Sequence, residues 1–350
     1  MERKLVSSPV RIGVVGCGGV AQIIHLPALA RLQEVEIKAI CDIDIRKASI
    51  VANRFEVEHI FDDIEEMFAR CELDAVFILT PNNMHLPMSL IALKHGAHLF
   101  IEKPAARNRK EALRIEQAAQ KNGRHVMVGM HTRFRHDIRV IKEYLNNQAV
   151  GEIFFIKTEW LQARFQAIKQ PWLLNKNISG GGVLMDLGIQ VIDAIWWIAN
   201  RPPLESVKVH SHQINESLGV EDFCSICLSF AGNLTVSCLV SWNFPIEHDR
   251  FFAEVFGTSG SISLNPLKVK KLSQGKAIDL TPTIYDSLNR QDIFKMAYER
   301  EIRHFIDFLL GKEENLESSI SEAVSVLSIT DWIYESLKKN REIIIQPEGG

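Results

Sequence analysis

The chain has 350 residues, 46% of them hydrophobic and 24% charged, with a formal net charge of −3 and a pI near 6.5. That length suits two domains of common size, and that balance suits a water-soluble chain able to bury substantial cores. The small net charge gives no electrostatic footprint for nucleic acid or for an anionic membrane. No apolar run reaches the roughly 18 uninterrupted residues of a membrane span. The N-terminus lacks the apolar region and cleavage site of a signal peptide. Six cysteines do not resemble a secreted disulfide framework. The expected location is therefore cytosolic, with no metal site. Cys224 and Cys227 are the one close pair; three apart in an alternating strand, they fall on opposite faces and read as structural.

The first third alternates short apolar runs with helical periods. Residues 10–15, 36–41, 75–79, 98–101 and 125–128 read as strands. Residues 20–32, 45–55, 64–71, 86–95 and 110–122 read as helices between them. Gly96 and Gly123 fall at helix ends, where a left-handed cap is expected. The alternation predicts an α/β domain over 1–130, with a doubly wound parallel sheet of the Rossmann kind.

From 131 to 350 the pattern changes to an α+β domain on a large, mostly antiparallel open sheet. A helix over 136–145 precedes a strand over 152–160, an irregular stretch to Gly182 and a helix over 183–199. Cys224, Ile226, Leu228 and Phe230 then alternate with Ser225, Cys227 and Ser229. A Gly232-Asn233 turn leads into Leu234, Val236, Cys238, Val240 and Trp242. Strands over 251–256 and 261–264 and helices over 298–310 and 319–338 complete the chain. The face bearing Ser225, Cys227, Ser229, Thr235, Ser237 and Ser241 is nearly uncharged. It faces either water or a second subunit.

Four stretches carry chemistry. Gly16-Cys17-Gly18-Gly19-Val20-Ala21 follows a strand and opens a helix, the setting a dinucleotide fingerprint requires. Gly16 permits the tight turn, Gly18 the approach of backbone to a pyrophosphate, and Ala21 close packing, with phosphates at the helix N-terminus. Asp42 ends the next strand, 21 residues after Ala21, where a carboxylate binds the adenosine ribose and repels a 2′-phosphate. The cofactor expected is NAD rather than NADP, with Arg46 placed to soften the preference. Thr80-Pro81-Asn82-Asn83 and Glu102-Lys103-Pro104 both follow strand ends, where open α/β sheets bind ligands. Pro104 implies a fixed turn, cis or trans, that aims Lys103. Finally, Gly180-Gly181-Gly182 precedes a helix on which Asp186, Gln190 and Asp193 share one face. That face reads either as a site or as an ordinary solvated surface.

Together these features resemble the glucose–fructose oxidoreductase/inositol dehydrogenase/rhizopine catabolism (Gfo/Idh/MocA) family. The motifs that carry the resemblance are Gly-x-Gly-x-x-Ala, His25-Leu26-Pro27-Ala28-Leu29, Asp42, Thr80-Pro81 with His85, Glu102-Lys103-Pro104, and Gly-Gly-Gly-x-x-x-Asp-x-Gly. The resemblance implies an NAD-dependent dehydrogenase acting on a secondary hydroxyl of a sugar, cyclitol or related polyol. It places Lys103 and Asp186 in the active site, and Gly16, Gly18, Gly19, Val20, Ala21, Asp42, Arg46, Thr80, Pro81, Asn83, His85, Glu102 and Lys103 around the cofactor. It also implies a homodimer or homotetramer built on the open sheet face.

One position departs from the family pattern: Gln190 stands where its members carry the His that serves as acid/base. An amide has no usable proton equilibrium near neutrality, and general acid–base catalysis contributes about 10²–10⁴-fold. Three readings stay open. Lys103, deprotonated in a buried position beside a cationic nicotinamide, is the base; His131, His248 or a tyrosine reaches the site; or the chain binds without reacting, as an NAD-dependent sensor. An NAD-dependent glycosidase is a further alternative. Substrate contacts are expected from His131, Asp186, Gln190 and the 162–179 stretch, with Arg164 and Trp172 as candidates.

Overall fold

The structure is a computed structural model that describes residues 9–163, 171–216, 218–282 and 290–346. Of these, the residues up to His131 together with Phe294–Ser325 form one compact unit. Those of Thr132–Ile293 and those from Val326 onward form another.

The first unit holds six parallel strands: β1 (Val10–Val15), β2 (Val35–Cys41), β3 (His59–Phe61), β4 (Ala75–Ile78), β5 (His98–Glu102) and β6 (Val126–Gly129), in the order β3-β2-β1-β4-β5-β6. The order reverses between β1 and β4, so the crevice at their carboxyl ends is the topological switch point of a doubly wound sheet. Every residue of β4 and β6 is buried, which is why these strands read as unbroken apolar runs. Side chains cap the helices between strands: Asp44 accepts from Lys47 N before Ile45–Arg54, Asp63 from Glu66 N before Ile64–Arg70, and Asn108 from Glu111 N before Arg109–Asn122. Gly123 ends the last of these with φ 61°.

Residues 294–325 join this unit, which a single boundary near residue 130 does not anticipate. The helix Arg290–Leu309 turns Ile302, Phe305 and Ile306 inward, all buried. Phe305 meets Phe77 and Phe100 edge-on at 5.6 and 5.7 Å. Ser318 O accepts from Val128 N at 2.8 Å.

The second unit is built on a nine-stranded sheet: β7 (Ile153–Ala163), β8 (Leu204–His212), β9 (Phe223–Phe230), β10 (Leu234–Phe244), β11 (Arg250–Gly257), β12 (Gly260–Leu264), β13 (Lys268–Ser273), β14 (Lys276–Asp279) and β15 (Ile343–Ile344). Its order is β14-β13-β12-β11-β7-β10-β9-β8-β15, antiparallel throughout except for β7 beside β10. Cys224, Ile226, Leu228, Phe230, Leu234, Val236, Cys238 and Val240 are buried on one face. On the other, Ser225, Ser229, Thr235 and Ser237 are half-buried and Cys227 is exposed. Ser241 departs from that face: it is fully buried at the register break before Phe244, and its Oγ accepts from Asn243 N at 3.2 Å. Residues 176–198 have the length and apolarity to cross a membrane, yet 83% of that window is buried inside the unit.

Candidate active site

In the first unit, the turn after β1 is shaped by one glycine and left open by two. Gly16 has φ 100°, and a Cβ there would lie 2.8 Å from the Leu79 carbonyl, so both conformation and space require glycine. A Cβ on Gly18 or Gly19 would meet nothing within 4 Å. Helix follows from residue 19 to 29, with Val20 half-buried and Ala21 fully buried against the sheet. Exposed backbone at the start of a helix beside the switch point is a cradle for a diphosphate.

The Asp42 carboxylate is buried and committed. Its Oδ2 accepts from Cys17 N at 2.6 Å, and its Oδ1 accepts from Asp44 N and from Lys47 Nζ, both at 2.9 Å. It thus ties the glycine turn to the end of β2. Arg46, the side chain expected beside Asp42, is exposed; the cation that the structure brings there is Lys47. Burial pushes the Cys17 thiol between these elements up to about 12.

At the ends of β4 and β5, the motif residues hold one another. Thr80, Pro81, Asn83 and Lys103 are half-buried, while His85 and Glu102 are buried. His85 Nδ1 lies 2.8 Å from the Pro104 carbonyl oxygen, and its Nε2 2.8 Å from that of Thr80. Burial pulls His85 below the usual imidazole range, against the two carbonyls and the charges of Glu102 and Glu111. Glu102 Oε1 accepts from His25 Nε2 at 2.7 Å, and Oε2 from Lys103 N at 3.0 Å. Burial alone would raise Glu102; the hydrogen bond and charge of His25, with Lys103 and His131, outweigh it and hold the carboxyl below its usual range. The Lys103–Pro104 peptide is cis. His131 is buried, stacked on Tyr298 at 4.1 Å with Phe294 edge-on at 4.6 Å.

In the second unit, a π-helical turn over Leu184–Gly188 runs into the helix Ile189–Ile198. Every residue from 181 to 198 is buried except Asp186, which is half-buried. The solvated-face reading of this helix therefore fails, because Gln190 and Asp193 are buried and only Asp186 is partly open. Trp242 Nε1 donates to Asp186 Oδ2 at 3.0 Å. Gln190 Nε2 donates to the Asp186 carbonyl at 2.9 Å, while its Oε1 is buried without a hydrogen-bond partner among the described residues. Asp193 is taken up by Arg133: Nε reaches Oδ2 at 2.8 Å and Nη2 reaches Oδ1 at 2.6 Å.

The glycine run before this helix serves packing. A Cβ on Gly181 would lie 1.7 Å from the Tyr334 hydroxyl, and one on Gly182 2.0 Å from the Glu221 carbonyl oxygen. Glu221 Oε1 accepts from Gly182 N at 2.9 Å and from the Tyr334 hydroxyl at 2.8 Å. Burial, then the Glu221 charge, pushes the Tyr334 phenol well up. Trp172 is half-buried in the short turn Pro171–Leu174. Arg164 lies outside the described residues. The His248 side chain is 86% exposed, beside Glu247. Among the described residues, no group of three or more His, Cys, Asp or Glu is placed to hold a metal ion.

Residues 10–130 match the model of the oxidoreductase family with an NAD-binding Rossmann fold, and residues 138–263 match the GFO/IDH/MocA C-terminal domain. The chain belongs to the GFO/IDH/MocA family. Among its relatives, D-glucoside 3-dehydrogenase of Escherichia coli is 30% identical over 64% of this chain, which spans 63% of that protein. The scyllo-inositol 2-dehydrogenase (NADP(+)) IolU of Bacillus subtilis is 27% identical over 74% of this chain and 76% of its own. The WlbA dehydrogenase of Bordetella pertussis, solved with NADH and UDP-GlcNAcA, shares the fold with TM-score 0.85 at 19% identity, over 98% of this chain and 99% of that one. As a GFO/IDH/MocA oxidoreductase, the chain takes NAD in its Rossmann unit, and the open backbone at Gly18 and Gly19 with Asp42 at the end of β2 fits that cofactor.

Proposed function

We propose that the chain is an NAD-dependent dehydrogenase of a secondary hydroxyl on a sugar, cyclitol or related polyol, with Lys103 and Asp186 in its active site. The observation that carries this reading is the pair formed by Asp186 and Gln190. The one accessible carboxylate on a buried helix sits a turn before a buried amide oxygen with its acceptor capacity unmet. Two acceptors so placed suit a ligand rich in hydroxyl donors. The sugar and inositol dehydrogenases among the relatives support the same substrate class.

NAD supplies the hydride chemistry when bound. The chain's residues bind, orient and move the proton. Asp186, oriented by Trp242, and Gln190 Oε1 accept hydrogen bonds from substrate hydroxyls. Gln190 has no proton to exchange, so it orients only. Lys103 Nζ takes the hydroxyl proton as the carbonyl forms and returns it in the reverse direction. His248 is left aside because it is open to water, and His131 because it is packed between aromatic rings. The nearly uncharged outer face of β9 and β10 is proposed as the contact between copies in a homodimer or homotetramer. A screen of sugars and cyclitols that follows NADH absorbance tests the reading. Aryl glycoside cleavage with no net absorbance change, or saturable sugar binding with no turnover of any substrate, would replace it.

A further inference from the structure

Two buried histidines lie behind the turn that presents Lys103, and the reaction as described uses neither. His25 sits at the end of the π-helical turn Ala21–His25, fully buried among Phe77, Phe100 and Tyr298 at 5.4–6.1 Å. His85 sits in the first turns of the helix Asn82–Lys94. The first holds the Glu102 side chain, whose other oxygen accepts from Lys103 N; the second sets one ring nitrogen against each of the Pro104 and Thr80 carbonyls, and as a neutral ring donates to one of them.

We propose that His25 and His85 are positioning residues for Lys103, clamping the Glu102-Lys103-Pro104 turn from two different helices. The residues on either side of Lys103 are each tied to a buried ring, and the Lys103 backbone N–H is tied to one of them through Glu102. The Lys103 side chain therefore starts from a fixed backbone. That matters because a misplacement of about 1 Å at a reacting group costs on the order of 100-fold in rate. His85 also lies within 2.8 Å of carbonyl oxygens in both turns, so its buried ring packs the Thr80-Pro81 turn against the Lys103-Pro104 turn. Neither ring needs to touch cofactor or substrate to act in this way.

The inference rests on Lys103 being the proton-transfer group, and a double-mutant cycle separates the two claims. The assay uses the full chain with NAD and a substrate found by the sugar screen. His85→Leu and His85→Gln are expected to lower kcat by about 10- to 100-fold, with little change in KM for NAD. In a Lys103→Met background the same changes should cost less than about twofold more, because the group they position is gone. His25→Gln, which keeps a donor for Glu102, should retain more turnover than His25→Leu. Trinitrobenzenesulfonate labelling of Lys103 in the cofactor-free protein, read by peptide mass, should change in rate in every histidine variant that folds. An equal loss from His85→Gln in both backgrounds, or an unchanged Lys103 labelling rate, overturns the clamp while leaving Lys103 in its role. Wild-type turnover in Lys103→Met overturns the Lys103 reading itself, and the clamp with it.

Discussion

Trp242 and Asp186 are joined across 56 residues of sequence by a 3.0 Å hydrogen bond from the indole N–H to Oδ2. Trp242 is buried and Asp186 half-buried, so the donor fixes one carboxylate oxygen of a side chain that is not wholly enclosed. The Trp242 backbone is fixed in turn, its N–H donating to the Asp222 carbonyl at 3.0 Å.

Removing that donor is expected to reduce catalysis more than stability. A hydrogen bond to a charged group contributes about 1.5–3 kcal/mol, and water replaces part of it at a half-exposed carboxylate. Trp242→Phe should lower kcat/KM by roughly 10-fold while Trp242→His, which retains a donor, loses less. Steady-state kinetics alongside thermal melts check this; equal losses in both variants would remove Trp242 from the site.

Lys47 and Asp42 form an ion pair at the end of β2, and together they are expected to set the cofactor preference. If Asp42 meets the adenosine ribose, NAD should bind more tightly than NADP, with the Lys47 ammonium beside it offsetting part of the repulsion of a 2′-phosphate. For a partly exposed ion pair the effect is on the order of 1 kcal/mol, so Lys47→Ala should weaken NADP by about fivefold and leave NAD nearly unchanged. Asp42→Ser should narrow the gap. Fluorescence titration with each cofactor reads both, and no change in NADP affinity on losing Lys47 would return the role to Arg46.

The parts of the fold legible in the sequence are those buried on both sides and those, like β9 and β10, that alternate buried with open residues. β1, β4 and β5 read as apolar runs, and glycine punctuates the helices between them. β3, at the edge of the sheet with three residues, is too short to show a period. β13 and β14 escape notice because they are almost wholly exposed and lysine-rich, without apolar alternation. The glycine turn and the strand ends were legible because each lies where local chain signals meet. The partners that complete them were not: Trp242 and Arg133 lie 56 and 60 residues from the carboxylates they bind. Nor does spacing distinguish a helix face that meets water from one that is buried inside the unit.

Glu102 predicts a specific acid limb. Its carboxyl is held below the usual range in the folded chain, so the folded state favours the ionised form relative to the unfolded state. That contribution is complete above the ordinary carboxylate value and is lost as pH falls through the depressed one. Glu102→Gln should therefore be less stable at neutral pH and lose less on acidification, with the melting curves converging as pH falls through the depressed value. A constant gap between the two proteins across that range would mean that Glu102 is not held down.

If copies assemble through the outer face of β9 and β10, burying new charge there should separate them. Cys227 and Ser237 pair across these strands. Cys227→Lys with Ser237→Lys should shift light-scattering mass to the monomer while NAD titration is unchanged. A parent chain that is already monomeric at micromolar concentration would end the proposal.

In the proposed function Lys103 and Gln190 have different roles, proton transfer for the one and substrate orientation for the other, and kinetics test each. Lys103 follows β5 in a turn secured on both sides, and it is the titratable group to which the proton transfer is assigned. Lys103→Met should lower kcat by at least about 100-fold, the lower bound for loss of an acid/base group. Gln190 spends its amide N–H on the Asp186 carbonyl and has only Oε1 to offer, and in the proposed role that acceptor would orient a hydroxyl equally in ground and transition states. Gln190→Ala should therefore raise KM for the substrate with a smaller change in kcat, as loss of uniform binding does. It should also cost stability, since the buried side chain leaves a void. Gln190→His restores an ionisable group and should keep or raise kcat, with a new pH dependence. Lys103→Met with near-parent turnover would place the base elsewhere, with His131 next to be tested. A Gln190→Ala loss confined to kcat would instead make Gln190 part of the chemical step.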